Sequence, residues 1–328
     1  MKAAPADLDP ALLEQSLLEH WGLRPSRLEY LPVGFGDHHW DATAGGIRFF
    51  VTVRDLRLDA RADDPHQAIQ ALERTFQSVR RLKEIAGLQF IVPAVPGNSC
   101  ATVAAIESRF ALSVYDWIDV RPFRDAEGVL AANLVAQLHR ASREHPVHGV
   151  REDFRIPHRY HLEAALRLLQ VPWLDGPFGE PSRELLAAHG AEVRSALQLY
   201  DHLVAVAQGV NAEWCLTHGE PSGGNLVQDQ AGTPHLVDWE SARLAPPERD
   251  LAQLGLSAEG LASYLEVAGG PSPHADILRL YRLWYDLAES AVYLMQFHAP
   301  HTADDNMIES WQNFQNFLPT AARWPEVG

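Results

Sequence analysis

Lysine is almost missing from this chain: in 328 residues only Lys2 and Lys83 occur, and every other basic side chain that stays charged is an arginine. With 27 basic against 43 acidic groups the formal net charge is −16. Such a surface repels nucleic acid and anionic membranes; its acidity either steers cationic ligands inward or serves solubility alone. Cysteine is as scarce. Cys100 and Cys215 are the only two, too few and too separated for a disulfide framework or a zinc site. No run of about twenty apolar residues is present to span a membrane, and Met1 to Leu23 lacks the apolar region of a secretory signal. These absences predict a cytoplasmic protein with neither nucleic acid nor membrane as partner. Histidine is abundant but unpatterned: no H-E-x-x-H spacing occurs, so His38, His39, His139, His158 and His161 are not expected to bind metal. What remains is a globular composition, 46% hydrophobic and 21% charged, in a chain long enough for two units of unequal size.

The informative stretch is Leu216-Thr-His-Gly-Glu-Pro-Ser-Gly-Gly-Asn-Leu-Val227 with its sequel Leu236-Val-Asp-Trp-Glu240. Two short apolar runs, Trp214 to Thr217 and His235 to Trp239, read as strands, and the loop between them carries His218, Glu220 and Asn225. Asp238 follows on the second strand. A hairpin alone accounts for the glycines and the proline. The polar order, however, is that of a kinase catalytic loop, H-x-acid, then an Asn, then an Asp on the next strand. Phosphoryl transfer needs those types for stated reasons: one carboxylate orients the acceptor hydroxyl and takes its proton. An amide oxygen and a second carboxylate suit Mg²⁺, which prefers hard oxygen ligands and keeps several waters.

Together with Leu236-Val-Asp-Trp-Glu-Ser-Ala-Arg-Leu-Ala-Pro-Pro-Glu-Arg-Asp-Leu-Ala252, the loop resembles the aminoglycoside phosphotransferase family, small-molecule kinases with a protein-kinase-like fold. The resemblance implies an α+β, two-lobed, protein-kinase-like architecture. A small antiparallel-sheet nucleotide lobe would span residues 1–119, and a larger helical catalytic lobe residues 120–328. It implies Glu220 as the catalytic carboxylate, Asn225 and Asp238 as Mg²⁺ ligands, His218 as a loop brace and Asp250 as a buried support. ATP or GTP would be the donor and a small-molecule hydroxyl the acceptor. Many members carry Asp where Glu220 stands, a departure that changes the geometry of the base more than its charge.

Earlier in the chain, Leu28 to Ala42 and Ile47 to Val53 read as strands around a Gly34-Phe-Gly36 loop and a Gly45-Gly46 turn, an arrangement that lays backbone amides over phosphates. The kinase template ends its third strand in lysine, and here Thr52 takes that place. Arg54, two residues on and on the same strand face, either replaces the lysine or is a solvated strand-end arginine. Asp63-Asp64-Pro65 signals a helix that runs to Gly87. On it, Glu73 either pairs the nucleotide-lobe cation or is a solvated charge. Phe90 to Val95, Cys100 to Ala105 and Phe110 to Tyr115 complete the expected sheet. In the resembling family the following crossover, Asp116, Trp117 and Ile118, binds the purine through backbone groups.

From Arg121 onward the pattern is helical, with segments Val129 to Ala141, His158 to Leu169 and Arg183 to Ala207. Asp276 to Gln296 is apolar on nearly every face and should be buried. Its Asp286 and Glu289, three apart and on one side, either hold a cationic or hydroxylated acceptor beside Glu220 or, for Asp286, pair Arg282. The acceptor is read as antibiotic-like, such as an aminoglycoside. A metabolite kinase of the choline, sugar or homoserine type, or a nucleotide-binding protein without turnover, are the other readings.

Overall fold

The computed structural model describes residues 1–58, 64–121, 128–210 and 213–318. It opens with α1 (Pro10–Trp21), β1 (Pro25–Leu31), β2 (His38–Ala44) and β3 (Ile47–Asp55), followed by α2 (Pro65–Ala86), β4 (Ala104–Ile106), β5 (Phe110–Asp116) and β6 (Val120–Arg121). Then come α3 (Val129–Glu144), α4 (Arg159–Arg167), α5 (Gly179–Gly209) and β7 (Cys215–Thr217). The chain continues through β8 (Leu226–Asp229), β9 (Pro234–Leu236), β10 (Arg243–Ala245), α6 (Glu248–Leu254), α7 (Ala258–Ala268), α8 (Ala275–Phe297) and α9 (Asp305–Phe314). Two compact units emerge. The first holds Met1–Glu152, Glu213–Asp250 and Leu256–Pro271, and the second holds Asp153–Ala212, Leu251–Gly255 and Ser272–Gly328.

In the first unit, β1-β2-β3-β5-β4 form an antiparallel five-stranded sheet. Alternation along the strands sorts its side chains. Trp40, Ala42, Val51, Val53, Leu112 and Val114 pack with Leu13 and Leu17 of α1 in one apolar cluster. The odd neighbours, His39, Thr52 and Ser113, fall in register as one row across β2, β3 and β5 on the opposite face. The α2 helix begins where expected: Asp64 accepts from the His66 N–H as N-cap, Pro65 occupies the first turn, and Gly87 ends it at φ 67°. Asp63, the other half of that signal, lies outside the described residues, as does the C-terminal part of the expected helical run beyond 318.

Two expected strands differ. Phe90 to Val95 makes a single bridge, Ile91 to Leu236, and no ladder; Pro93 within it has no N–H to donate, and Pro96 follows at once. The strand sought at Cys100 to Ala105 begins only at Ala104, after Cys100 at φ 64°. The second unit is helical, with α5 and α4 against α8 and a core that includes Leu162, Leu186, Tyr200, Tyr281 and Phe297. The expectation of a buried Asp276 to Gln296 helix holds in α8, where even Asp286 and Ser290 are fully covered.

Candidate active site

The loop after β7 is fixed by its backbone. Asp250 accepts from the N–H groups of His218 (2.9 Å) and Gly219 (2.6 Å), and its Oδ2 also meets His139 Nε2 at 2.9 Å. His139 in turn meets the Tyr264 hydroxyl through Nδ1 at 2.9 Å. Burial alone would raise the Asp250 carboxyl, but the bond from His139 outweighs it and holds the group below its usual range. Burial opposes a charge on His139, yet Cys215, Tyr264 and Asp250 together lift it well above the ordinary imidazole value. Gly219 stands at φ +103°, and a Cβ there would lie 2.6 Å from Arg249 Nη1, so only glycine fits.

His218 is committed to the same task. Its Nε2 donates to the Val237 carbonyl at 2.8 Å while Nδ1 accepts from the Glu220 N–H at 3.3 Å. Burial lowers its pKa, and both ring nitrogens are engaged within the loop and its neighbouring strand end. Asn225 closes the turn by donating Nδ2 to the Glu220 carbonyl at 3.0 Å, a bond that does not engage its amide oxygen. The expected strand from His235 to Trp239 stops at Leu236. Asp238 adopts φ 68° and a short 3-10 turn, Trp239–Ser241, follows. A non-glycine residue in that conformation is strained, a feature concentrated at functional sites.

The strained turn places Asp238 and Glu240 beside Asp37 of the glycine loop, with one carboxylate oxygen from each lying within 4.8 Å of the others. Water reaches Asp238, but protein rings it: desolvation, then the charge of Glu240, push its carboxyl well above the usual range. Burial also acts on Glu240, but Arg54 overcomes it and holds that carboxyl low. For Glu220, burial followed by the charge of Glu240 raises the pKa, partly offset by Arg249 and Arg54. Glu220 and Asp238 therefore share Glu240 and Arg54 as electrostatic neighbours. All the donors are hard oxygens, the set that suits Mg²⁺.

Arg54 gives Asp37 a two-point contact, 2.9 Å from Nε and 2.7 Å from Nη2, and reaches Glu240 at 2.9 Å. Here an expectation is corrected. Glu73 does not pair this cation; its carboxylate accepts from the Thr102 hydroxyl (3.0 Å) and from the N–H groups of Thr102 (2.8 Å) and Val103 (3.0 Å). The N–H groups leading into β4 claim it, and Asp37 and Glu240 serve Arg54 instead. Thr52 is buried against His39. Gly34 and Gly36 both take positive φ, 68° and 95°.

At the crossover, Asp116 ends β5, Trp117 donates to Asp119 at 2.8 Å, and the Arg48 guanidinium lies 3.6 Å from the Trp117 ring centroid. Ile118 follows, half-buried. In the second unit, Asp286 is buried on α8 and Glu289 bonds the Tyr293 side chain. Sequence reasoning missed Asp37, Glu240, His139 and Arg249. The only available signal was the Asp-x-Glu spacing at 238 and 240; the others reach the site through distant elements.

A model of the phosphotransferase enzyme family matches residues 39–307. Protein StrN of Streptomyces griseus is 29% identical over 334 residues, covering 94% of this chain and 96% of that one. Among solved structures, spectinomycin phosphotransferase APH(9)-Ia in complex with ADP and spectinomycin superposes with a TM-score of 0.68 at 15% identity, covering 94% of both chains. Choline kinase LicA from Streptococcus pneumoniae gives 0.55 at 13% identity, over 94% of this chain and 97% of its own. These likenesses establish the fold expected from the loop motif, the α+β protein-kinase-like fold of small-molecule kinases. No helix among the described residues is long and apolar enough to cross a membrane.

Proposed function

Since the chain belongs to the phosphotransferase enzyme family, we propose that it transfers the γ-phosphoryl group of ATP or GTP to a hydroxyl of a small antibiotic-like molecule, such as an aminoglycoside. What supports this reading is the carboxylate cluster of Asp37, Asp238 and Glu240, with the charge of Glu240 felt by Glu220 on a backbone-braced loop that also carries Asn225. Glu220, with its raised pKa, would accept the acceptor's proton as the bond to phosphorus forms, and its partial burial makes it a stronger base than a free glutamate. Asn225 and Asp238, joined by Glu240 and Asp37, would hold Mg²⁺. When bound, that ion would neutralise charge on the transferred phosphoryl group. Arg54 would hold Asp37 and Glu240 in place and add positive charge near the phosphates.

Backbone groups of Asp116, Trp117 and Ile118 would take the purine, and the loop around Gly34 and Gly36 would cover the phosphates. Asp286 and Glu289 would recognise a cationic or hydroxylated acceptor. In this reading residues 1–119 form the nucleotide lobe, the rest forms the catalytic and acceptor lobe, and the enzyme works in the cytoplasm. Most of the rate would come from positioning and charge stabilisation.

The net charge of −16 suits a cationic metabolite alcohol as well as an aminoglycoside, so a metabolite kinase is the second reading. A single-turnover assay with γ-labelled ATP or GTP decides. Acceptors should include aminoglycosides, spectinomycin, choline, homoserine and simple sugars, with and without Mg²⁺. We expect transfer to one class, abolished by EDTA and reduced at least a hundredfold in Glu220→Gln. Nucleotide binding with neither transfer nor slow hydrolysis would refute the kinase reading in favour of a binding protein without turnover.

A further inference from the structure

The lysine position of the kinase template is filled by Thr52, and Arg54, two residues further along the strand, already bonds Asp37 and Glu240. The same face of the sheet offers another donor one strand away. His39 lies opposite Thr52 in the β2–β3 register, and its Nδ1 is 3.2 Å from the Thr52 hydroxyl. Its ring leans on Phe50, with centroids 4.8 Å apart, and its other edge lies under the glycine loop. A Cβ added to Gly34 would come within 3.2 Å of His39 Nε2, so the loop passes close over that nitrogen, and the positive φ at residue 34 favours glycine there. The bond to Thr52 is the hydrogen bond His39 makes among the described residues.

We propose that the His39–Thr52 pair performs the phosphate-holding task of the missing lysine, with His39 Nε2–H donating to a polyphosphate oxygen of the nucleotide beneath the Gly34–Gly36 loop. This rests on the nucleotide-dependent reading above. Thr52 is the positioning residue: when its hydroxyl donates to Nδ1, the ring proton resides on Nε2, the edge facing the loop. Phe50 fixes the ring plane. The nucleobase and ribose gain nothing from this contact, so it discriminates nucleotides by their phosphates.

The test measures binding of ADP and of adenosine to the full-length chain by calorimetry, in EDTA so that metal plays no part. We expect His39→Ala to weaken ADP about tenfold, the worth of one hydrogen bond to a charged group, while adenosine affinity stays unchanged. Thr52→Val, which keeps the side-chain shape, should weaken ADP by a smaller factor of about three, because the Nε2–H tautomer is no longer favoured. His39→Gln, with an amide donor, should recover part of the loss. Equal ADP affinity in wild type, His39→Ala and Thr52→Val overturns the inference. So does a parallel loss of ADP and adenosine binding in a variant that melts like wild type. A wild-type chain that binds adenosine but not ADP also refutes it, whereas one that binds neither removes the nucleotide reading itself.

Discussion

Replacing Asp250 by asparagine changes one atom and should cost more than any surface substitution. The native carboxylate is fully buried and receives three bonds: the His218 N–H and His139 Nε2 at one oxygen, and the Gly219 N–H at the other. An amide keeps one acceptor. Its NH₂ must point either at the Gly219 N–H or at the His218 N–H, and one buried donor is left without a partner, at about 1–3 kcal/mol. The lost charge leaves the His139 imidazolium buried beside a neutral group; breaking one side of such a pair costs about 3–5 kcal/mol in all. Urea denaturation followed by tryptophan fluorescence should show that loss, against an exposed control, Asp175→Asn, that changes little. Transfer to the acceptor should also fall, since the backbone carrying Glu220 is no longer pinned. A stability change below about 0.5 kcal/mol would mean that Asp250 does not brace the loop, and the account of the site's rigidity would fail.

Arg54→Ala should leave Asp37, Asp238 and Glu240 without their shared cation; we expect Mg²⁺ affinity to stay or rise while nucleotide affinity falls severalfold, read by calorimetry with each ligand. Burial holds the His39 pKa near about 4, so the unfolded chain takes up that proton from pH about 6.5 downward while the folded chain refuses it. Stability contributed by His39 is therefore present near neutrality and is lost as pH falls toward the folded value, by up to about 1.4 kcal/mol per pH unit. Unfolding free energies at pH 7 and pH 5 should differ by about 2 kcal/mol more in wild type than in His39→Gln.

Local signals in the sequence carried far, and where they stopped has a physical cause. The cap residues of α2, the glycine loop and the polar order from His218 to Asn225 are short-range patterns, and the structure places each where the spacing puts it. Phe90 to Val95 was misread because an apolar run looks like a strand whether or not its N–H groups find a ladder, and Pro93 is a local obstacle that apolarity masks. For Glu73 the sequence leaves a cation partner and a solvated charge equally open, whereas its carboxylate goes to the N–H groups that stand nearest in space. Arg54 bonds a carboxylate 186 positions away; no periodicity encodes such a pairing. The bend at Asp238 was equally hidden, because an Asp at φ 68° reads no differently from an Asp in a strand.

The glutamate at position 220 then acquires a definite consequence. The backbone that carries it is held by Asp250, His218 and Asn225, so it cannot shift to accommodate a different side chain. Glutamate reaches roughly 1.5 Å further than the aspartate common in the family, one carbon–carbon bond. With Glu220 as the proposed base, the acceptor hydroxyl would sit correspondingly further from the loop. Misplacement of about 1 Å lowers a positioned reaction by about a hundredfold. Glu220→Asp, although it preserves the charge, should therefore lose about that factor in the rate of transfer with little change in nucleotide affinity. If Glu220→Asp transfers phosphate as fast as wild type, the loop is not rigid or Glu220 does not touch the acceptor, and single-turnover rates beside Glu220→Gln separate the two: only in the first case does the glutamine variant remain inactive.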